Sequence, residues 1–501
     1  MNFTLKGWGI GEFCVPLHQL RGFSVLGLIS IRVTSRHFQS FSLTFYIMKK
    51  TDNHNKRAVF GSRFAAVATT VGSAVGLGNI WRFPYETGIH GGSAFILCYL
   101  CFALMVGVPV LIAEFILGRS TRSNILGAYR KLTPGKKWYR AGYLGIVASL
   151  LIMGFYAVVA GWTLEYFIQS ITGNLDFSSE AAGHNQFMSL TSGWRTVLWT
   201  VLFSLCNYAI LVRGVTRGIE KLSNILMPVL FVILIIFCVR SFFLPGFNEG
   251  MQFLFTPDLS KITPSTLLGA LGQAFFSLSL GVGTMITYSS YFNDKTNLQQ
   301  TAVTTMLLDS AVAILSGVII FPAVFSFGIS PTAGPTLVFE VLPNIFHSMA
   351  GGIFWSSLFF FLLFLASLTS TISMCEISIS FLSEEKKLGR KTATTVACAT
   401  GLLLSLGCAL SLGPWQDFTI CGMTLFNLFD YVASNVLMPI GGMIGSIFVG
   451  WLIDRRYIRE QLGDESNHSF HWLKPLTFIL RWICPAAIFL VLLDSSGLIP
   501  H

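Results

Sequence analysis

The sequence predicts an all-α polytopic membrane protein of eleven transmembrane helices. Helices 1 and 6 are broken, and helices 1–5 and 6–10 form an inverted five-plus-five repeat. Three observations carry this reading. Of 501 residues, 53% are apolar and only 11% charged, whereas a soluble domain carries roughly 25% charged residues; mean hydropathy is +0.67. Apolar runs close to or beyond the roughly 20 residues needed to cross a bilayer recur along the whole chain. Two of them, each the first of a group of five, are interrupted by glycine clusters at corresponding places, which is the sequence mark of an inverted repeat with a site at the bilayer midplane.

In order, the helices are expected at 64–87, 93–117, 139–171, 195–213, 221–243, 265–291, 299–328, 352–382, 392–413, 422–452 and 474–494, numbered 1 to 11 below. The domain reading places an N-terminal cytoplasmic segment at 1–56, the first repeat at 57–243, the second at 265–452, and helix 11 with the C-terminus at 474–501. Runs longer than 25 residues are expected to tilt, kink or extend past the membrane. Residues 1–47 hold scattered Arg and His and no run of membrane length. Met48, followed by Lys-Lys-Thr-Asp, is the favoured translation start, with a genuine cytoplasmic extension as the rival.

Basic residues set the orientation. Arg119, Arg122, Arg130, Lys131, Lys136, Lys137 and Arg140 crowd the loop after helix 2. Arg213, Arg217 and Lys221 follow helix 4, Lys386, Lys387, Arg390 and Lys391 follow helix 8, and Arg455, Arg456 and Arg459 follow helix 10. The odd-numbered loops hold few. The N-terminus is therefore expected inside a cell membrane and the C-terminus outside. The net charge of +10 is explained by these loops, so no nucleic-acid partner is expected. The 45 Phe and 11 Trp argue against disorder. Most of the ten cysteines lie within apolar runs and read as small core residues.

Helix 1 reads Val71-Gly-Ser-Ala-Val-Gly-Leu-Gly-Asn-Ile-Trp-Arg-Phe-Pro84. Glycine costs about 1 kcal/mol and proline about 3 kcal/mol in a helix interior. A packing face of small residues accounts for Gly72 and Gly76, but not for Gly78, Asn79 and Arg82 as well. A break near Gly76–Gly78 exposes carbonyls from one half and amides from the other, ligands for a cation and an anion respectively. Helix 6 repeats the device at Ser277-Leu-Ser-Leu-Gly-Val-Gly-Thr284.

These segments resemble the neurotransmitter:sodium symporter family. The likeness covers about residues 57–500 and is most specific in Gly72–Pro84 of helix 1, in Gln273–Gly283 of helix 6, and in helices 7 and 8. The eleven-helix form resembles the family's bacterial amino-acid transporters. The resemblance implies sodium-coupled uptake of an amino acid by alternating access, no enzymatic activity, and two sodium ions. The first sodium would take the Ala74 carbonyl, Asn79, Ser277 and, where the family usually has Asn in helix 7, Asp309. The second would take the carbonyls of Gly72, Val75 and Ala366 with the hydroxyls of Thr369 and Ser370. Sodium prefers such oxygen ligands. A buried carboxylate in a bilayer is costly, and bound sodium is its natural partner. The helix 7 serine of the chloride-dependent relatives is Ala313 here, so no chloride requirement is expected.

The same resemblance constrains the substrate. The amine transporters carry Asp where this chain has Gly76, leaving room for a substrate carboxylate to meet sodium and the amides of Leu77 and Gly78. Tyr156 matches a tyrosine that donates to that carboxylate. Ala74, Gly76, Leu77, Gly78, Ile152, Tyr156, Phe276, Ser277, Ser279, Val282, Ser370 and Met374 would form the substrate site. The pocket carries no charge, Val282 replaces a bulkier Phe, and Met374 is pliable. Hydrophobic L-amino acids, aromatic ones included, are therefore expected. Arg82 with Asp430 would form the outer gate under Phe276. Arg57 with Glu384, or the adjacent Glu385, would form the inner gate with Tyr291. Glu114 would accept amides freed by the break in helix 6. Gly218, nine residues and Pro228 match a family spacing for unwinding of helix 5.

Two other readings remain. A sodium-independent or proton-coupled permease of the same fold should lack the second-site hydroxyls. An amino-acid sensor should carry a large cytoplasmic domain. The remaining expected partner is the lipid bilayer, with the chain a monomer or weak dimer.

Overall fold

A computed structural model describes residues 57–175, 180–328, 338–347, 350–463 and 470–495. The question of Met1 or Met48 as the start lies outside the described residues. The chain divides into Met1–Arg57 and Ala58–His501. The second unit, among its described residues, is helical throughout, with one isolated β-bridge at Ile420 and Met423.

Among the described residues nine helices are long and apolar enough to cross a membrane: Ser93–Thr121, Lys137–Thr172, Trp194–Leu211, Val215–Ser241, Leu298–Ser326, Gly352–Glu384, Arg390–Leu410, Leu425–Leu452 and Leu473–Ser495. These are helices 2–5 and 7–11. Helix 1 is a bent pair, Arg63–Ala74 and Gly78–Ile89, meeting at 54°. Helix 6 is two shorter pieces, Pro264–Ser277 and Thr284–Ser289. Helix 5 starts earlier than hydropathy indicates, because a π-helical turn at Val215–Glu220 precedes its apolar stretch. Short helices Ile125–Leu132, Phe247–Phe255 and Arg455–Leu462 lie in the loops; they are too short and too mixed in polarity to register as spans.

Capping fixes several starts. The Ser62 hydroxyl accepts the Ala65 amide ahead of helix 1, the Thr263 hydroxyl accepts the Thr266 amide ahead of helix 6, and the Asn297 side chain accepts the Gln300 amide ahead of helix 7. Each satisfies an amide that has no partner in the first helical turn. Helix 3 lies centrally, packed against helices 4, 8, 9 and 10. Helices 4, 5 and 11 instead expose Leu198, Leu205, Val232, Ile235, Phe489 and Leu490, as helices facing lipid tails do. Cys98 and Cys101, spaced Cys-x-x-Cys in helix 2, are free thiols, one buried and one exposed.

Candidate functional site

The two breaks face one another in the middle of the bundle. Helix 1 ends at Ala74, and Val75 turns extended at φ −66° and ψ 118°. A π-helical turn, Gly78–Arg82, then restarts the chain. In helix 6, Ser279, Gly281 and Gly283 take φ of 52°, 82° and 90°. The glycines adopt this left-handed region readily, whereas Ser279 does so against a steric penalty, the kind of local strain that clusters at working sites. The Ser279 hydroxyl donates to the Ser73 carbonyl at 3.2 Å, tying one break to the other.

Two supports hold the second break. The Gly281 amide donates to Glu114 Oε1 at 2.7 Å, the role expected of that lone acid. Helix 10 touches the break backbone to backbone: a Cβ on Gly281 would lie 2.0 Å from the Met438 carbonyl oxygen, and one on Gly441 would lie 2.1 Å from the Gly281 oxygen. Helix 3 allows a similar approach at Gly145, where a Cβ would lie 2.5 Å from the Val282 oxygen. Gly441 and Gly145 are not singled out by hydropathy, because a lone small residue in an apolar run has many uses.

A cavity of about 20 Å³ lies between the breaks, lined by Ala74, Gly76, Gly78, Asn79, Ile152, Tyr156, Phe276, Ser277, Ser279, Val282, Ser370, Met374 and Met438. All the expected substrate residues except Leu77 line it, and Met438 was missed. Leu77 contributes its backbone amide, which donates to Tyr156 Oη at 2.9 Å. The same oxygen is within hydrogen-bonding reach of the Ser370 side chain, so Tyr156 joins the helix 1 break to helix 8. A volume of this size takes about one water, so an amino acid enters only with movement of the lining side chains. Phe276 is the mobile candidate: it is half-buried, and the Arg82 guanidinium lies 4.5 Å above its ring.

Beside the cavity sits a fully buried carboxylate cluster. Asn79 Nδ2 donates to Asp309 Oδ1 at 2.8 Å, to the Asp309 carbonyl at 3.1 Å and to Ser277 Oγ at 3.0 Å. Ser277 Oγ donates to Asp309 Oδ2 at 2.5 Å. Tyr99 from helix 2, not anticipated, donates to the same oxygen at 3.3 Å and accepts from Ser310. Every group around Asp309 thus presents a proton, the pattern that suits an ionised acceptor. Asn79 Oδ1 accepts the Gly76 amide at 3.0 Å, so this one side chain links the broken backbone to Asp309.

The second oxygen set gathers at helix 8. Ser370 Oγ lies 3.0 Å from the Val75 carbonyl oxygen and 3.2 Å from that of Ala366. Thr369 Oγ1 donates to the Ala366 carbonyl at 3.0 Å. Gly72 lies alongside: a Cβ there would stand 3.5 Å from Thr369 Cβ and 3.5 Å from Met227 Cε. Among the described residues no group of three or more His, Cys, Asp or Glu could hold a metal, so any ion at these sets must be one content with hydroxyls, carbonyls and a single carboxylate.

The Sodium:neurotransmitter symporter family model matches residues 57–191 and 184–497. The chain belongs to that family. It is 36% identical over 448 residues to the "Uncharacterized sodium-dependent transporter YhdH" of Bacillus subtilis, covering 89% of this chain and 99% of the relative. It is 38% identical over 444 residues to a sodium-dependent transporter of Haemophilus influenzae, covering 86% and 95%. A crystal structure of MhsT in complex with L-phenylalanine superposes with a TM-score of 0.81 at 41% identity, covering 88% of this chain and all of that one. The protein is a multi-pass membrane protein with the inverted-repeat architecture of a sodium-dependent transporter family.

At the expected outer gate the pairing differs from the sequence reading. Arg82 pairs with Glu86 on its own helix, Nε to Oε1 at 3.4 Å, rather than with Asp430, which accepts from Ser434 at 2.8 Å. An i,i+4 partner is reachable without bringing two helices together, so it wins wherever the outer halves stand apart. A cavity of about 260 Å³ lies just beyond, lined by Arg82, Glu86, Phe276, Ser434 and Asn435 among others.

On the opposite side Tyr291 donates to Glu376 Oε1 at 2.6 Å, and Arg390 engages both Glu376 oxygens. Glu376 and Arg390 were missed: Glu376 stands within an apolar stretch and Arg390 in what reads as a basic loop. Glu384 accepts the Asn124 backbone amide at 2.7 Å and Asn124 Nδ2 at 2.9 Å. Glu385 pairs with Arg130 at 2.9 Å. Glu384 thus caps a loop helix, and Glu376 is an acid that meets Tyr291 on this side. Arg57 ends the first unit of the chain.

Helix 5 also differs. Gly218 lies in the π-helical turn, and a Cβ there would stand 2.4 Å from the Ile210 carbonyl oxygen. It is a close-packing glycine, so substituting it would distort helix 4 rather than simply stiffen helix 5. Pro228 remains, inside Lys221–Ser241 and next to Met227, which touches the Gly72 region. Pro228 cannot donate to Asn224, which leaves that turn weak. Pro228→Ala is therefore expected to leave equilibrium binding of sodium and substrate within about threefold, under 1 kcal/mol, while slowing uptake. Parallel loss of both, or unchanged uptake, removes helix 5 from the release step.

Proposed function

We propose that this protein is a secondary active symporter that couples the inward sodium gradient to uptake of hydrophobic L-amino acids, aromatic ones included, without a chloride requirement. The observation that carries the reading is the uncharged cavity between two broken helices, flanked on one side by the Asp309–Asn79–Ser277 cluster. The L-phenylalanine held by the MhsT structure, which superposes over nearly the whole fold, supports the substrate class.

In this reading the substrate carboxylate meets the amides of the helix 1 break, Tyr156 Oη and the first sodium. That ion is held by the Ala74 carbonyl, Asn79, Ser277 and Asp309. The second ion is held by the carbonyls of Gly72, Val75 and Ala366 with the Thr369 and Ser370 hydroxyls. The apolar side chain lies among Ile152, Phe276, Val282 and Met374, where a charge would go unpaired. With sodium and substrate both bound the breaks are bridged, Arg82 meets Asp430 over Phe276, and helices 1, 2, 6 and 7 rock to open inward. Glu376, Tyr291 and Arg390 hold the inner side shut until then. Helices 1–5 and 6–10 form the two repeats of an eleven-helix protein, its basic loops and N-terminus in the cytoplasm and its C-terminus outside. Asp309 supplies the fixed negative charge that a bound chloride would otherwise bring.

The test is counterflow of labelled amino acids in proteoliposomes. Accumulation of Phe, Leu and Trp should require sodium and be indifferent to replacing chloride with gluconate. Uptake persisting in choline would favour the sodium-independent permease, and loss in gluconate would reject the role given to Asp309. A second expectation concerns the carboxylate. Tyr156→Phe removes one hydrogen bond to a charged group, about 1.5–3 kcal/mol, and should weaken substrate binding roughly 10- to 150-fold. Tryptamine, which lacks the carboxylate, should bind poorly to both forms; tryptamine binding as tight as that of Trp would contradict the proposed pose.

A further inference from the structure

A second site lies far from the breaks, in the hairpin of helices 10 and 11. A cavity of about 330 Å³ is lined by Arg455, Leu473, Lys474, Thr477, Phe478, Arg481 and Trp482. The helix 11 members recur at three- and four-residue spacing and so share one face. Arg455 reaches the same space from the start of the loop helix Arg455–Leu462. Among the described residues no carboxylate lines the cavity. Two acids of the loop helix are engaged elsewhere: Asp454 caps it through the Arg456 amide, and Glu460 pairs with Arg456.

One of the three cations is held in place. Arg481 donates through Nε to the Gly450 carbonyl, its guanidinium lies 5.1 Å from the Trp451 ring, and Trp451 Nε1 donates to the Arg481 carbonyl at 3.2 Å. Trp451 and Trp482 meet edge to face at 4.9 Å. Both are about half exposed, as is Phe478. Trp451 stands at the end of helix 10, and exposed tryptophans at a helix end mark the level of the lipid headgroups; a basic pocket beside a membrane helix near that level suits an anionic headgroup.

We propose that this cavity binds the phosphate of an anionic phospholipid, with Arg455, Lys474 and Arg481 around the phosphate and Phe478 and Trp482 against the acyl chains. The bound lipid bridges helix 11 to the loop helix. This inference rests on the chain spanning a bilayer and is independent of the substrate reading.

The full chain, purified in detergent, is titrated with phosphatidylglycerol or phosphatidylcholine and the bound lipid is counted by native mass spectrometry. Arg455 and Lys474 are exposed, and among the described residues neither side chain makes a hydrogen bond or ion pair. R455Q/K474Q should therefore keep the thermal unfolding midpoint of the parent while binding phosphatidylglycerol about 30-fold more weakly, at roughly fivefold per basic residue. R455K/K474R should retain binding. Equal affinity of parent and R455Q/K474Q overturns the proposal, as does phosphatidylcholine binding as tightly as phosphatidylglycerol. Displacement of phosphatidylglycerol by excess inorganic phosphate also overturns it, in favour of a site for a free anion.

Discussion

Gly76→Ala is expected to impair transport strongly while leaving the protein folded. A Cβ at this position would lie 2.6 Å from Ser370 Oγ and 2.7 Å from Tyr156 Oη, distances that no carbon and oxygen sustain without displacement. Both neighbours belong to the proposed site: Ser370 approaches the Val75 carbonyl, and Tyr156 accepts the Leu77 amide. One methyl group therefore pushes on the substrate carboxylate position and on the second sodium set together. Overpacking of this kind costs about 1–3 kcal/mol. Expressed as lost binding that is roughly 5- to 150-fold for the substrate alone, with a further loss in sodium affinity. The measurement is sodium-dependent binding of labelled Phe to purified protein, with thermal unfolding as the check on integrity. Affinity within threefold of the parent would mean that Gly76 serves only helix packing.

Asp309→Asn should weaken apparent sodium affinity nearly as much. Asp309 is fully buried and receives protons from Asn79 on one oxygen and from Ser277 and Tyr99 on the other. An amide in its place turns its own NH₂ toward one of these donors and removes the only formal charge in the cluster. The hydroxyls of Ser277 and Tyr99 can rotate, but Asn79 cannot flip without releasing the Gly76 amide from its Oδ1. The lost charge-assisted bond, about 1.5–3 kcal/mol, predicts a 10- to 150-fold rise in the sodium concentration needed for half-maximal substrate binding. Chloride should restore part of the affinity in the variant and none in the parent. A parent protein that gains affinity from chloride would show that Asp309 does not replace the anion.

The residues that diverge from the sequence reading share a cause. Arg82 was read beside Asp430 and lies on Glu86, and Tyr291, read into a network with Arg57 and Glu384 or Glu385, donates to Glu376. In each case several acids were within reach along the chain, and a charge by itself says nothing about which one shares its side of the bundle. Gly218 was read as a hinge and proves a contact residue, because sequence shows that a glycine weakens a helix but not what lies against it. Tyr99 and Met438 were missed because an aromatic or a methionine inside an apolar run is indistinguishable from lipid-facing packing until its neighbour is known.

By itself the sequence determined the class of the protein, the positions of the spans, and the two breaks. These are local matters: hydropathy over some 20 residues decides whether a segment can enter a bilayer, and clustered glycines with a proline decide where its helix cannot continue. The family resemblance in helix 7 also marked Asp309, a costly carboxylate within a run of membrane length. Only the tertiary structure decided which polar groups meet. The Asn79 link between Gly76 and Asp309 spans more than 200 residues of sequence, and the close approach of Gly281 to Gly441 depends on two backbones packing without side chains between them. Hydrogen bonds and ion pairs act over a few ångströms, so their partners follow from the packing of whole helices, which no local pattern encodes.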